Sequence, residues 1–152
     1  MKKLLISLSV LMSVMAIAAQ AEVTITSQSY QKVLKKKKAK WVKATKVVPG
    51  SIILYMNTLK NKGTQTAEKL TVVNAIPKHM QYVKGTAKCK TTCTVTYSVD
   101  DGKTFYKPKK LFVGKGKNRH RAKASEYTTI MWVINKLKGG KKTIVQYKAR
   151  LK

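Results

Sequence analysis

The sequence predicts an all-β domain built as an antiparallel β-sandwich. Three observations carry that expectation. After residue 21 helical periodicity is nearly absent, short apolar runs alternate residue by residue, and Gly-, Pro- and Asn-containing turn signals separate them. A closed barrel has less support, because two of the runs are apolar on both faces, as strands in the middle of a sheet are.

The chain opens MKKLLISLSVLMSVMAIAAQA. Lys2 and Lys3 form a positive start, Leu4 to Ala19 an apolar stretch broken only by serines, and Ala19-Gln20-Ala21 a small-residue cleavage site. Residues 1–21 are therefore expected to be a cleaved signal peptide, the apolar stretch being shorter than the ~20 residues a membrane anchor needs. Residues 22–152 then form a single domain, a length that buries roughly two-thirds of its unfolded surface.

EVTITSQ places Val23 and Ile25 on one face of a first strand. KVLKKKKAKWVK, residues 32–43, carries seven lysines and one tryptophan. Tyr30, Val33 and Leu34 before it and Trp41 and Val42 within it predict a hairpin. One strand arrives, the chain reverses near Lys36–Lys38, and a second strand leaves through Trp41. At Pro49-Gly50 the proline presets φ and the glycine can take a positive φ. SIILYMNTL is apolar on both faces, as is YTTIMWVI, in which Trp132 between Ile130 and Ile134 is a natural core anchor. Asn61-Lys62-Gly63 reads as a short loop with Gly63 available for the left-handed position. Further turns are expected at Ile76-Pro77, Asp100-Asp101-Gly102 and Gly139-Gly140. CTVTYSV sets Val95, Tyr97 and Val99 against a wet face of Thr94, Thr96 and Ser98. TIVQYKARL sets Val145, Tyr147, Ala149 and Leu151 against Ile144, Gln146, Lys148 and Arg150.

The two cysteines, Cys89 and Cys93, lie in CKTTC. In an exported chain a disulfide is the simplest reading, with free thiols or a metal or redox site as alternatives. Extended, the pair would stand ~13 Å apart, so the bond requires a reversal at Lys90-Thr91-Thr92. A hairpin with a three-residue loop fits.

VVPGSIILYMNTLKNKGTQTAEKLTVVNAIPKHMQYVKGTA resembles the conserved-repeat (DUF11) domain of bacterial cell-surface and periplasmic proteins. The matching positions are Pro49-Gly50, Tyr55, Asn61 and Gly63, Asn74 to Pro77, and Tyr82 to Ala87, with Gly102, Trp132 and Gly140 falling in a similar second half. The resemblance covers about residues 46–152. It implies an immunoglobulin-like β-sandwich of the periplasm, outer membrane or cell surface, with no catalytic activity. Where that family usually carries acidic residues, this chain has Asn74 and lysines.

Catalytic chemistry finds little to work with. His79 and His120 have no histidine, cysteine or carboxylate at ligand spacing. The five carboxylates, Glu22, Glu68, Asp100, Asp101 and Glu126, offer no general acid–base pair. Ser98 and Ser125 lack a nucleophile elbow, and GKGK at 114–117 lacks the strand-to-helix setting of a phosphate loop. No enzyme, cofactor, metal or small-molecule substrate is expected.

Charge is what remains. The chain has 33 basic and five acidic residues, net +28, and loss of Lys2 and Lys3 leaves +26. The candidate anion-binding residues are Lys35, Lys36, Lys37, Lys38 and Lys40 in the hairpin, and Lys115, Lys117, Arg119, Arg121 and Lys123 in GKGKNRHRAKA. If extended, the second set would project from one face at ~6.6 Å intervals; the alternative is a loop whose charges are simply solvated. Only Arg119, Arg121 and Arg150 are arginine. Lysine dominance points to sequence-independent contact weakened by salt. The expected partners are anionic envelope polymers or a membrane surface, with extracellular or incoming nucleic acid as the alternative.

Overall fold

The computed structural model describes residues 21–35 and 38–152; the expected signal peptide up to residue 20, and Lys36 and Lys37, lie outside the described residues. In chain order the strands are β1 (Val23–Lys35), β2 (Lys38–Lys43), β3 (Ile52–Asn61), β4 (Ala67–Ala75), β5 (Met80–Tyr82), β6 (Lys88–Cys89), β7 (Cys93–Ser98), β8 (Phe112–Val113), β9 (His120–Arg121), β10 (Thr129–Leu137) and β11 (Lys142–Leu151). They form an antiparallel β-sandwich of immunoglobulin-like type that is not closed into a barrel. One sheet runs β2-β1-β3-β11-β5, with β6 also paired to β11, and the other runs β4-β10-β7.

The two runs apolar on both faces are the middle strands, β3 in the larger sheet and β10 in the smaller. Their inward residues meet at the centre. Trp132 of β10 is fully buried and its ring lies 6.0 Å from that of Tyr147 on β11, which in turn stacks on Tyr55 of β3 at 4.9 Å. Ile130, Ile134, Leu59, Val145 and Ala149 close the core around them. The alternation in β11 holds as expected, with Val145, Tyr147 and Ala149 buried.

Three inter-sheet contacts set the alignment. Asn57 of β3 donates to Asn74 of β4 at 2.7 Å, Trp132 of β10 packs on Tyr147 of β11, and Tyr82 of β5 lies beside Tyr97 of β7. The smaller sheet thus faces β3, β11 and β5. This corrects one expectation: Val23 packs against the core, but Ile25 is 51% exposed because its stretch of β1 overhangs the smaller sheet. The hairpin expectation holds, with Lys35 opposite Lys38. Its first strand, however, is continuous back to Val23 and pairs with β3 from Val23 to Gln31. Trp41 fastens the hairpin to the outer face of the sheet, with Lys148 Nζ 5.3 Å from its ring centroid.

The turns are organised more by side chains than the sequence suggests. Gly50 has the positive φ expected of it and Gly63 does not, while Gly102 and Gly140 take positive φ within their expected turns. The Gly63 loop is built instead on the buried Asn61 side chain. That amide donates to the carbonyls of Gln65 (2.7 Å) and Leu137 (2.9 Å), and its oxygen accepts from Gly63 N (3.1 Å) and Glu22 N (3.3 Å). Ser98, placed on a wet face by alternation, is fully buried. Its hydroxyl donates to Asp100 Oδ1 (2.6 Å) and accepts from Asp100 N and Gly102 N, holding the Asp100-Asp101-Gly102 turn.

The Cys89–Cys93 disulfide forms, with Cα atoms 6.3 Å apart, but it does not close a hairpin. Cys89 pairs with Val145 in the larger sheet and Cys93 with Ile134 in the smaller. Lys90-Thr91-Thr92 is the corner where the chain changes sheets, and the bond clips the two sheets together beside it.

Three measurements follow. Trp132→Ala empties the centre of the sandwich and should cost about 3–5 kcal/mol in urea unfolding. Replacing both cysteines with serine should lower stability by roughly 2 kcal/mol by the loop-entropy relation, and reductant should erase the difference from the parent. The third concerns acid. Hydrogen bonds from the Ser98 hydroxyl and from the Thr104 hydroxyl and amide hold Asp100 at about 2, below its ordinary 3.8. The stability this contributes is present above the ordinary value and lost as pH falls through the folded one. Asp100→Asn should therefore be less stable at neutral pH and lose less between about pH 4 and about pH 2.

Candidate anion-binding site

Between β7 and β10 the chain makes an excursion that covers the β5–β7 edge of the sandwich. It leaves where Tyr97 and Tyr106 exchange backbone hydrogen bonds of 2.9 and 3.0 Å. It then runs through 3-10 turns at Pro108–Lys110, Gly116–Asn118 and Ala124–Glu126, with β8 and β9 pairing between them. Leu111 and Ala122 are its buried anchors, joined by Ala122 N donating to Leu111 O at 2.9 Å. At Gly114, φ is +79°, and a Cβ there would collide with the Asn118 carbonyl, so the tip of the β8–β9 hairpin requires glycine.

Under the excursion lie three tyrosines. Tyr97 and Tyr127 stand 4.6 Å apart, with Tyr82 5.5 and 5.8 Å from them. The hydroxyls of Tyr82 and Tyr97 are 3.2 Å apart, and Ala87 N donates to Tyr82 at 3.0 Å. Burial pushes the Tyr97 phenol well up and raises that of Tyr127, so these two stay uncharged across the physiological range.

Two adjoining hollows open over the floor. The first, about 440 Å³, takes Lys84 from the β5–β6 connection, Lys109, Arg121 and Lys123, over Tyr127, Ala122 and Ala124. The second, about 510 Å³, lies between Val95 and Tyr97 on one side and Lys107, Lys109 and Lys110 on the other. Pro108 and Lys109 line both. Six basic residues thus surround the two hollows, and no lining residue is acidic. Glu126, the nearest carboxylate in sequence, is engaged elsewhere. It accepts from Lys123 N at 2.7 Å and meets His120 Nε2 at 3.1 Å. The Lys123 amide, then His120, holds its carboxyl below the usual range, while the Asn118 carbonyl, then Glu126, raises His120.

The structure divides the residues expected to bind anions. The row Lys115, Lys117, Arg119, Arg121 and Lys123 does not form, because the 3-10 turn at Gly116–Asn118 breaks the extended chain. Lys115 and Lys117 are exposed at that turn, and the Arg119 guanidinium sits 4.4 Å over the Phe112 ring. Only Arg121 and Lys123 reach the first hollow. Lys38 and Lys40 are exposed on β2, at the opposite edge of the larger sheet. Four strand spacings, about 19 Å, separate that edge from β5.

Lys84, Lys107, Lys109 and Lys110 were not anticipated. YKPKK at 106–110 does concentrate lysines around a proline, a signal outweighed by the denser run at 32–43. Nothing local marks Lys84. The Glu126–His120 contact, six residues apart, was also missed. Among the described residues no group of three or more His, Cys, Asp or Glu side chains is placed to hold a metal ion. No family model, no curated protein and no solved structure matches the chain.

Proposed function

We propose that this is a non-enzymatic envelope protein, exported with cleavage of residues 1–21. In this reading its cationic surface associates with anionic envelope polymers or the membrane surface. The observation that carries the reading is the convergence of Lys84, Lys109, Arg121 and Lys123 on one hollow with no acid among its lining residues. Like charges held together by separate backbone segments repel, and a multivalent anion relieves that repulsion while releasing its own counterions. The leader-like start, the net charge and the resemblance to surface-protein domains support the same reading.

Binding of the mature chain to isolated envelopes, washed with rising salt, tests it. The parent should be retained at ~50 mM salt and released as salt rises. A variant carrying Lys84→Gln, Lys109→Gln, Arg121→Gln and Lys123→Gln should be released at lower salt. Lys38→Gln with Lys40→Gln should change release less. A parent that stays in solution at ~50 mM salt, where phosphate contacts are strong, contradicts the proposal. Duplex DNA that displaces the protein from envelopes at equal phosphate concentration would turn the reading toward nucleic acid.

A further inference from the structure

Resting on that reading, we propose that the two adjoining hollows form one bipartite site for an anionic lipid, the phosphate of its headgroup in the first and its hydrocarbon in the second. The first hollow offers four cations over an uncharged tyrosine floor. The second differs in chemistry: Val95, Tyr97 and Pro108 line it with Lys107, Lys109 and Lys110, and lysine's aliphatic stem can cover apolar surface while its ammonium stays in water. Pro108 and Lys109 belong to both, so the two hollows meet at this turn.

Charge complementarity selects the head and the apolar walls select the tail. Both hollows lie in the size range of ligand pockets. A duplex or a fully hydrophilic acidic polymer would satisfy the cations and leave the apolar hollow wet. An amphiphile removes that surface from water while its phosphate relieves the repulsion. Lysine ammonium groups at the mouth suit a headgroup that stays at the water boundary.

The sheet architecture explains why the site sits there. β7 is the edge strand of the smaller sheet, and beyond the Tyr97–Tyr106 bridge its inward residue Val95, paired with Trp132 of β10 on one side, has no strand on the other among the described residues. The turn at Pro108–Lys110 stands across the gap and places its lysines at the rim.

The test compares two water-soluble probes with the disulfide-intact mature chain: dihexanoyl phosphatidylglycerol below its micelle concentration, and glycerophosphoglycerol, the same phosphodiester without tails. Binding is read from amide chemical shifts. The lipid should bind at least tenfold more tightly, the gain that burial of about two methylene groups supplies, and should shift amides near Val95 and Pro108 that glycerophosphoglycerol leaves in place. Val95→Thr, which keeps a β-branched residue in the strand, should reduce the lipid's advantage and leave glycerophosphoglycerol binding unchanged. Equal affinity for the two probes overturns the bipartite site while leaving the polyanion reading intact. Binding of neither probe overturns the lipid site, and the envelope assay then decides the broader reading separately.

Discussion

Each lysine placed on a surface that already carries its neighbours' charge raises the electrostatic free energy of the compact chain. With 33 basic residues against five acidic ones, pairing relieves little of this. Among the described residues the ion pairs are Lys136–Glu68 at 3.2 Å and His120–Glu126 at 3.1 Å. The fold therefore depends on keeping charge away from the inter-sheet core and on fastening that core by other means. Trp132 and Tyr147 fill its centre, and towards the β10–β11 connection the Cys89–Cys93 bond clips the sheets together and Asn61 ties the loop. The outward face of the smaller sheet obeys the same constraint: residues 70–75, 93–98 and 129–135 contain no charged side chain. Charge gathers instead on the hairpin, on the loops and on the excursion between β7 and β10.

The fold was legible where local pattern and global position agree. β3 and β10 read as central strands because both their faces are apolar, and β11 alternates because one of its faces is wet. That the chain turns back between Lys35 and Lys38 was legible because apolar residues bracket the run. What could not be read was which sheet a strand would join. Val23 and Ile25 share a face, yet whether Ile25 is covered depends on the second sheet being three strands wide. The disulfide was anticipated from compartment and spacing, but a five-residue segment does not reveal that its two cysteines belong to different sheets. Ser98 and Asn61 were misjudged for a related reason. Their burial is bought by hydrogen bonds to turn backbone, which residue type and alternation do not report.

The candidate site was harder still. Period-two spacing suggests a row of cations only if the chain is extended, and Gly114 and Gly116, both at positive φ, turn it instead. The hollow is assembled from Lys84 on the β5–β6 connection, Lys109 before β8, Arg121 on β9 and Lys123 after it, so no single short window of sequence contains it. The densest lysine run lies elsewhere: Lys38 and Lys40 stand on an exposed edge strand, where charge also guards against pairing with another chain.

The central claim is that anions are drawn to the β5–β7 edge by convergent geometry rather than to lysine wherever it is abundant. Titration of the mature chain with inorganic pyrophosphate, followed by amide chemical shifts at low ionic strength, tests that claim most directly. The account predicts saturable shifts concentrated at Lys84, Lys109 and residues 121–124, with small changes at Lys38–Lys43. Shifts centred on the β1–β2 hairpin, or spread evenly over the lysine-bearing surface, would contradict it.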